Sequence, residues 1–225
     1  MIKAVIFDMF ETLVSIFSGD TYFSEHIASD LNIPVNVFRP LWYSTEDARS
    51  NGQYTVQEAL KICLETMNCY SEESINLIVD NRKRNIAGVF SRTPNETIEL
   101  LQTLKDKNIK IGLISNCYSD EAQAIKESIL YRFFDAPVLS YEQGIAKPNP
   151  EIFKRTIKML GVNADECLYV GDGASNELYA ARSLGMKAVQ ALYFAHLSYE
   201  PHVLCGKLDE FDHVNTQMEI LKYIK

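Results

Sequence analysis

Asp8 closes an apolar run, Ala4-Val5-Ile6-Phe7, and opens Met9-Phe10-Glu11-Thr12-Leu13. A short β-branched and aromatic run reads as a buried strand, and a carboxylate at its C-terminal end sits where parallel α/β sheets place reactive groups. Three further polar features follow strand candidates or lie in loops. Ser115-Asn116 directly follows a run ending at Ile114. A hydroxyl and backbone N–H groups there can hold an anionic oxygen, although Ser and Asn are also ordinary turn residues. Lys147 stands in Gly144-Ile145-Ala146-Lys147-Pro148-Asn149-Pro150. Pro148 forbids a helix through the lysine and Pro150 suits the first turn of the next one, so Lys147 is held on a rigid loop. Finally, Gly171-Asp172-Gly173 ends another apolar run, and Glu177 follows on the incoming helix. Alone, Asp8 could be a nucleophile, a metal ligand or the N-cap of the next element. Beside Asp172 and Glu177 it would make a strongly negative pocket that needs a cation. Oxygen ligands near a phosphate favour Mg²⁺ over softer metals.

The elements that must position these groups show two textures. From Asn108 onward short apolar strands (110–114, 136–139, 167–170 and 187–190) alternate with amphipathic runs at 121–130, 151–160 and 175–184. Such alternation predicts an α/β fold, a Rossmann-like parallel sheet core with helices on both faces. The stretch from Ile16 to Val89 reads instead as helix after helix. Thr55-Val56-Gln57-Glu58 is a capping box before an apolar run through Met67, and Ser71 opens a helix whose Ile75, Ile78 and Val79 share a face. Helix-only sequence after the first strand predicts an inserted all-helical unit. Thr93-Pro94-Asn95-Glu96 then restarts the core, with Thr93 as N-cap and Glu96 closing the box.

Whole-chain properties narrow the partners. The 225 residues carry a formal charge of −8 and a pI near 5.1. That field repels nucleic acid and anionic lipid, leaving a small-molecule substrate and no nucleic-acid or membrane partner. Five scattered cysteines without a C-x-x-C pair read as free thiols in a reducing compartment. With no long apolar h-region at the N-terminus, the expected location is cytoplasmic, and the expected state is a monomer or homodimer.

The ordered set Asp8, Ser115, Lys147, Gly171-Asp172 and Glu177 resembles the haloacid dehalogenase-like (HAD) hydrolase superfamily across nearly the whole chain. The resemblance implies a Rossmann-like core from residues 1–15 and 90–225 and a helical cap over 16–89. It also implies roles. Asp8 would be the nucleophile that forms an aspartyl-phosphate. Ser115 and Lys147 would hold the transferring group, with Thr12 and Asn116 also contacting substrate. Asp8, the Phe10 backbone carbonyl, Asp172 and Glu177 would bind Mg²⁺.

One position breaks the pattern. Phosphatases of this family usually carry a second Asp two residues after the nucleophile, where this chain has Phe10. General acid–base help contributes roughly 10²–10⁴ in rate, so the expected enzyme is slow or restricted to good leaving groups. Glu11 on an extended backbone would point to the other side, and His26 in the cap is the remaining substitute. An aromatic at this position also occurs in metal-free 2-haloacid dehalogenases, the rival reading, whereas Gly171-Asp172 resembles Mg²⁺-dependent phosphohydrolases. A catalytically weak ligand- or partner-binding member is a second rival. Phosphonate cleavage would need a cap lysine, for which Lys61 is the candidate. Arg39, Trp42, Tyr43 and Arg49 fit cap packing as well as substrate recognition and stay outside the predicted site.

Overall fold

The computed structural model describes residues 1–202 and 205–224. Six strands form one parallel sheet: β1 (Ala4–Phe7), β2 (Lys110–Ser115), β3 (Ala136–Leu139), β4 (Cys167–Gly171), β5 (Lys187–Ala191) and β6 (Asp212–Val214). Their order is β3-β2-β1-β4-β5-β6, which puts β1 between β2 and β4. Alternation along β1 sends Val5 and Phe7 into one apolar layer and Ala4 and Ile6 into the other. All four are buried because both faces are covered, which is why the run is continuously apolar.

The first layer is roofed by α5 (Glu72–Ser91), α6 (Asn95–Asp106) and α7 (Ser119–Glu127), through Val89, Leu100, Leu104 and Ile125. The second is covered by α9 (Pro150–Leu160) and α10 (Glu177–Ser183), through Ile152, Phe153, Leu178 and Ala181. A short α8 (Ser140–Gln143) follows β3 directly.

Between β1 and β2 the described residues form helices and no strand. α1 (Ser24–Asp30), α2 (Val35–Ser44), α3 (Glu46–Ser50) and α4 (Val56–Thr66) precede α5. Ile27, Phe38, Trp42, Leu60, Leu64, Ile75 and Ile78 make an apolar cluster separate from the sheet layers. The 20-residue α5, about 30 Å long at the usual rise, joins the two. Its first half packs in the helical cluster, while Ile86, Val89 and Phe90 pack on the sheet.

Local signals mostly hold, with instructive differences. Thr55 and Glu58 make the reciprocal cap of α4 at 3.1 and 2.7 Å, and Ser71 caps α5. Thr93 does not cap α6. Its hydroxyl donates to the Phe90 carbonyl at 2.7 Å, closing the end of α5, and Pro94 takes the N-cap position. The run expected at 121–130 is helical only over α7, after which Leu130 turns into the core. The helix expected from Ser175 starts at Glu177, because Ser175 and Asn176 hold left-handed φ values of 54° and 52°. β6 was not expected, since Asp212-His213-Val214 carries no apolar run; it is an edge strand that buries only Val214.

Candidate active site

Parallel pairing assembles the site. Phe7 stands in register with Leu113 and Val170, so the C-terminal ends of β1, β2 and β4 and the residues just after them lie at one edge of the sheet. Asp8, Ser115 and Asp172 are thereby brought together, and the Asp8 amide donates to the Val170 carbonyl at 2.9 Å.

Lys147 reaches the same edge from the α8–α9 loop. Asn116 clamps its backbone, accepting the Lys147 N–H at 2.7 Å and donating to the Lys147 carbonyl at 3.0 Å. The lysine Nζ, with its side chain 3% exposed, lies 2.6 Å from Asp8 Oδ1 and 2.5 Å from Glu177 Oε2. That Glu177 oxygen also accepts the Tyr169 hydroxyl at 2.7 Å, and Oε1 accepts the Gly173 N–H at 3.2 Å. Gly171 makes room for the carboxylate, since a Cβ there would sit 1.9 Å from Glu177 Oε1. Gly173, at φ 99°, takes the left-handed turn that returns the chain toward α10.

Three buried carboxylates thus face one ammonium. Asp8, Asp172 and Glu177 can each offer an oxygen within 4.8 Å of the others. Burial pushes the Asp8 carboxyl well up, against the pull of Lys147. Burial, then the Glu177 charge, lifts Asp172 to about 7. Lys147 is raised: burial alone would lower it, but Asp8 and Glu177 outweigh that.

The donor set fits a hard cation. Both Glu177 oxygens are engaged within the protein, whereas Asp8 uses one oxygen on Lys147 and Asp172 one oxygen on the Ala174 N–H at 3.0 Å. Among the described residues the second oxygens of Asp8 and Asp172 have no hydrogen-bond donor, and the buried Thr12 hydroxyl has no partner either. Ser115 is buried, and its hydroxyl makes only a long 3.5 Å bond to the Asn116 carbonyl. Two free carboxylate oxygens suit Mg²⁺, and two uncommitted hydroxyls suit an anion beside it.

The Phe10 ring packs near Phe90, with centroids 6.3 Å apart, and joins the sheet core. Glu11 differs from expectation. The chain turns through Met9–Val14 instead of continuing extended, with Glu11 at φ 56°. Its buried carboxylate accepts the Ser15 hydroxyl at 2.7 Å and the Ile16 N–H at 2.8 Å, so it stabilises the turn. His26 is likewise local: its Nδ1 accepts the Phe23 N–H at 3.0 Å at the start of α1. Lys61 is exposed on α4, 3.8 Å from Glu65, and does not join the cluster. Arg39 bonds Ser24 and Glu25, while Arg49 is buried between the Trp42 and Tyr118 rings, 3.6 and 4.1 Å from their centroids.

Sequence reasoning missed Tyr169 and Gln190. Both sit inside apolar strand runs, and a polar residue in such a run is the signal that could have marked them. Buried Gln190 donates to the Asp172 and Gly206 carbonyls, each at 2.9 Å, and thereby holds the β4 turn. A cavity of about 310 Å³ opens beside Lys147, Asn116 and Ser175, with Glu46, Asp47 and Ser50 of α3 on its far side.

The sheet order and the carboxylate–lysine cluster at its C-terminal edge define a Rossmann-like α/β protein with a charged site at its strand ends. The family model for haloacid dehalogenase-like hydrolases matches residues 2–185, and the chain belongs to that family. It is similar to a glyceraldehyde 3-phosphate phosphatase of Methanocaldococcus jannaschii, 32% identical over 109 residues that cover 48% of each chain. The chain thus spans about half the length of that relative. A putative pyrophosphatase PpaX of Clostridium perfringens is 27% identical over 100% of this chain and 98% of its own. In structure, a 2-haloacid dehalogenase from Pseudomonas syringae pv. Tomato DC3000 superposes with a TM-score of 0.70 at 21% identity, covering 99% of this chain and 97% of that one. At that identity the likeness concerns the fold alone.

Proposed function

We propose that the protein is a Mg²⁺-dependent phosphatase of small phosphorylated metabolites, with Asp8 as nucleophile and the helical unit over residues 16–89 as its cap. The observation that carries this reading is the buried cluster in which one lysine faces three carboxylates. Asp8 attacks phosphorus, a P–O bond forms to its carboxylate, and the ester P–O bond breaks with its electrons leaving on the alkoxide. Ser115, Thr12 and Lys147 hold the phosphoryl oxygens, and Asn116 keeps Lys147 in place. Water then cleaves the aspartyl-phosphate. Asp8, Asp172 and the Phe10 carbonyl would hold Mg²⁺, which when bound neutralises charge on the transferring group. Glu177 supports the site through Lys147 and Tyr169.

Phe10 leaves the departing alkoxide without a proton donor. The test is phosphate release from a panel of phosphomonoesters with MgCl₂ and with EDTA, for the parent and Phe10→Asp. The parent is expected to favour aryl and acyl phosphates. The Asp variant should raise turnover of alkyl phosphates by about 10²-fold while changing aryl phosphates little. No phosphate release from any ester with MgCl₂ would sink the reading. Phe10 also favours a second reading, halide displacement, which chloride release from 2-chloropropionate in EDTA would support.

Metal binding carries its own pH signature. Asp172 is lifted from an ordinary 3.8 to about 7 by the fold, so ionising it is easier in the unfolded chain. Stability without metal therefore falls as pH rises from the unfolded value toward the folded one, and a bound cation removes that penalty. Saturating MgCl₂ should raise Tm by about 5–10 °C at about pH 8 and by far less at about pH 5. Equal shifts at both pH values in scanning fluorimetry would contradict the metal assignment.

A further inference from the structure

We propose that the arm Phe194–His202, which leaves the sheet after β5, is a strap that fastens the helical insert to the core and limits the size of leaving group the enzyme admits. The specificity half rests on the phosphatase reading above; the fastening half does not.

The strap is tied at both ends. At its root Tyr193 donates its hydroxyl to the Thr12 carbonyl at 2.5 Å, joining it to the turn that carries Asp8. At its tip it grips the start of the insert by four contacts. The Tyr199 hydroxyl lies 2.6 Å from Thr21 Oγ1, and its ring stands edge-on to Phe17 with centroids 5.7 Å apart. His202 stacks on Phe23 at 3.9 Å, and its Nε2 lies 2.6 Å from Glu25 Oε1. Glu25 passes the contact on, since its other oxygen accepts Arg39 Nη2 of α2 at 3.1 Å.

The insert is also held to the core by a second set of bonds, made differently. Half-buried Arg82 of α5 pairs with Asp120 at 2.6 Å and Glu121 at 3.3 Å, and Ser119 Oγ accepts the Val56 N–H at 3.0 Å. These bonds join helix to helix and are largely shielded. The strap is an irregular arm whose Tyr199 is 45% exposed, so it is the less enclosed of the two attachments and the easier to open locally. The helix-to-helix attachment is thus the firm one and the strap the releasable one. His202 also walls a cavity of about 230 Å³ with Phe23, Trp42, Tyr43 and Arg82. Tyr118 and Glu121 line both this cavity and the one beside Lys147, so the two adjoin; a fastened strap keeps the His202 wall in place, and a loosened one lets the space widen.

The experiment compares the parent with His202→Ala and His202→Gln, since glutamine can still donate to Glu25. Hydrogen–deuterium exchange is read over residues 21–30 and 194–202. Steady-state kcat/KM is read for β-naphthyl phosphate relative to acetyl phosphate. His202→Ala should speed exchange in both segments by about tenfold, the size expected for losing one charge-assisted hydrogen bond, and raise the naphthyl-to-acetyl ratio similarly. His202→Gln should return both toward the parent. Unchanged exchange in His202→Ala overturns the strap. Faster exchange with an unchanged ratio overturns its role in specificity. A parent inactive on every phosphomonoester refutes the phosphatase reading, and the exchange data still decide whether the strap exists.

Discussion

Asp8→Asn is expected to lower phosphate release by at least about 10⁴-fold, because an amide oxygen cannot supply the electron pair that forms the acyl phosphate. The substitution keeps the volume and leaves the neighbours in place. It also removes a buried carboxylate whose ionisation burial opposes, while Lys147 keeps Glu177 as its partner. The variant should therefore fold, with a Tm equal to or above that of the parent. Acid-quenched parent, mixed with a reactive substrate, should show a phosphoryl group on the peptide containing Asp8, absent from the variant. A variant within tenfold of parental turnover would remove Asp8 from the mechanism.

Lys147→Met should cost both stability and activity. The methionine fills much of the space, but Asp8 and Glu177 lose the ammonium held at 2.6 and 2.5 Å. Breaking a buried pair and leaving its partners charged typically costs about 3–5 kcal/mol, or about 6–20 °C in Tm for a chain of this size. Loss of a donor to the transferring group should lower kcat by a further 10²–10³-fold, roughly the cost of one electrostatic stabiliser. Adding Glu177→Gln removes one of the stranded charges, so the double variant should recover part of the Tm and none of the activity. Recovery of activity would mean that Lys147 acts only by balancing Glu177. Thermal melts and steady-state rates on the parent, Lys147→Met, Glu177→Gln and the double variant check this.

The elements were legible because their signals are local. A continuous apolar run reports a strand covered on both faces, and Thr55 with Glu58 reports a helix start three residues apart. Where a local signal had a competitor, the tertiary context chose between them. Thr93 could cap α6 or close α5, and packing of α5 on the sheet selected the second. On a strand-like continuation Glu11 would point away from Asp8; a left-handed residue turns the chain there instead, and its own side chain secures the turn. β6 carries no strand signal in the sequence because an edge strand needs few apolar residues.

By itself the sequence determined the chemical types at the sheet edge: a carboxylate after β1, Ser-Asn at the end of β2, a proline-bound lysine, and Gly-Asp at the end of β4. It also determined that Phe10, which cannot carry a proton, stands where a second acid is usual. Only the tertiary structure decided how those groups divide the work. Parallel register made neighbours of Asp8 and Asp172, and Glu177 became the lysine's partner because Gly171 has no Cβ to block it. Asn116 became a clamp on the Lys147 backbone, and the arm after β5 came to lie on the insert. Hydrogen bonds and ion pairs act over about 3 Å, so which groups share one depends on contacts between segments far apart in the chain, and no local pattern encodes that distance.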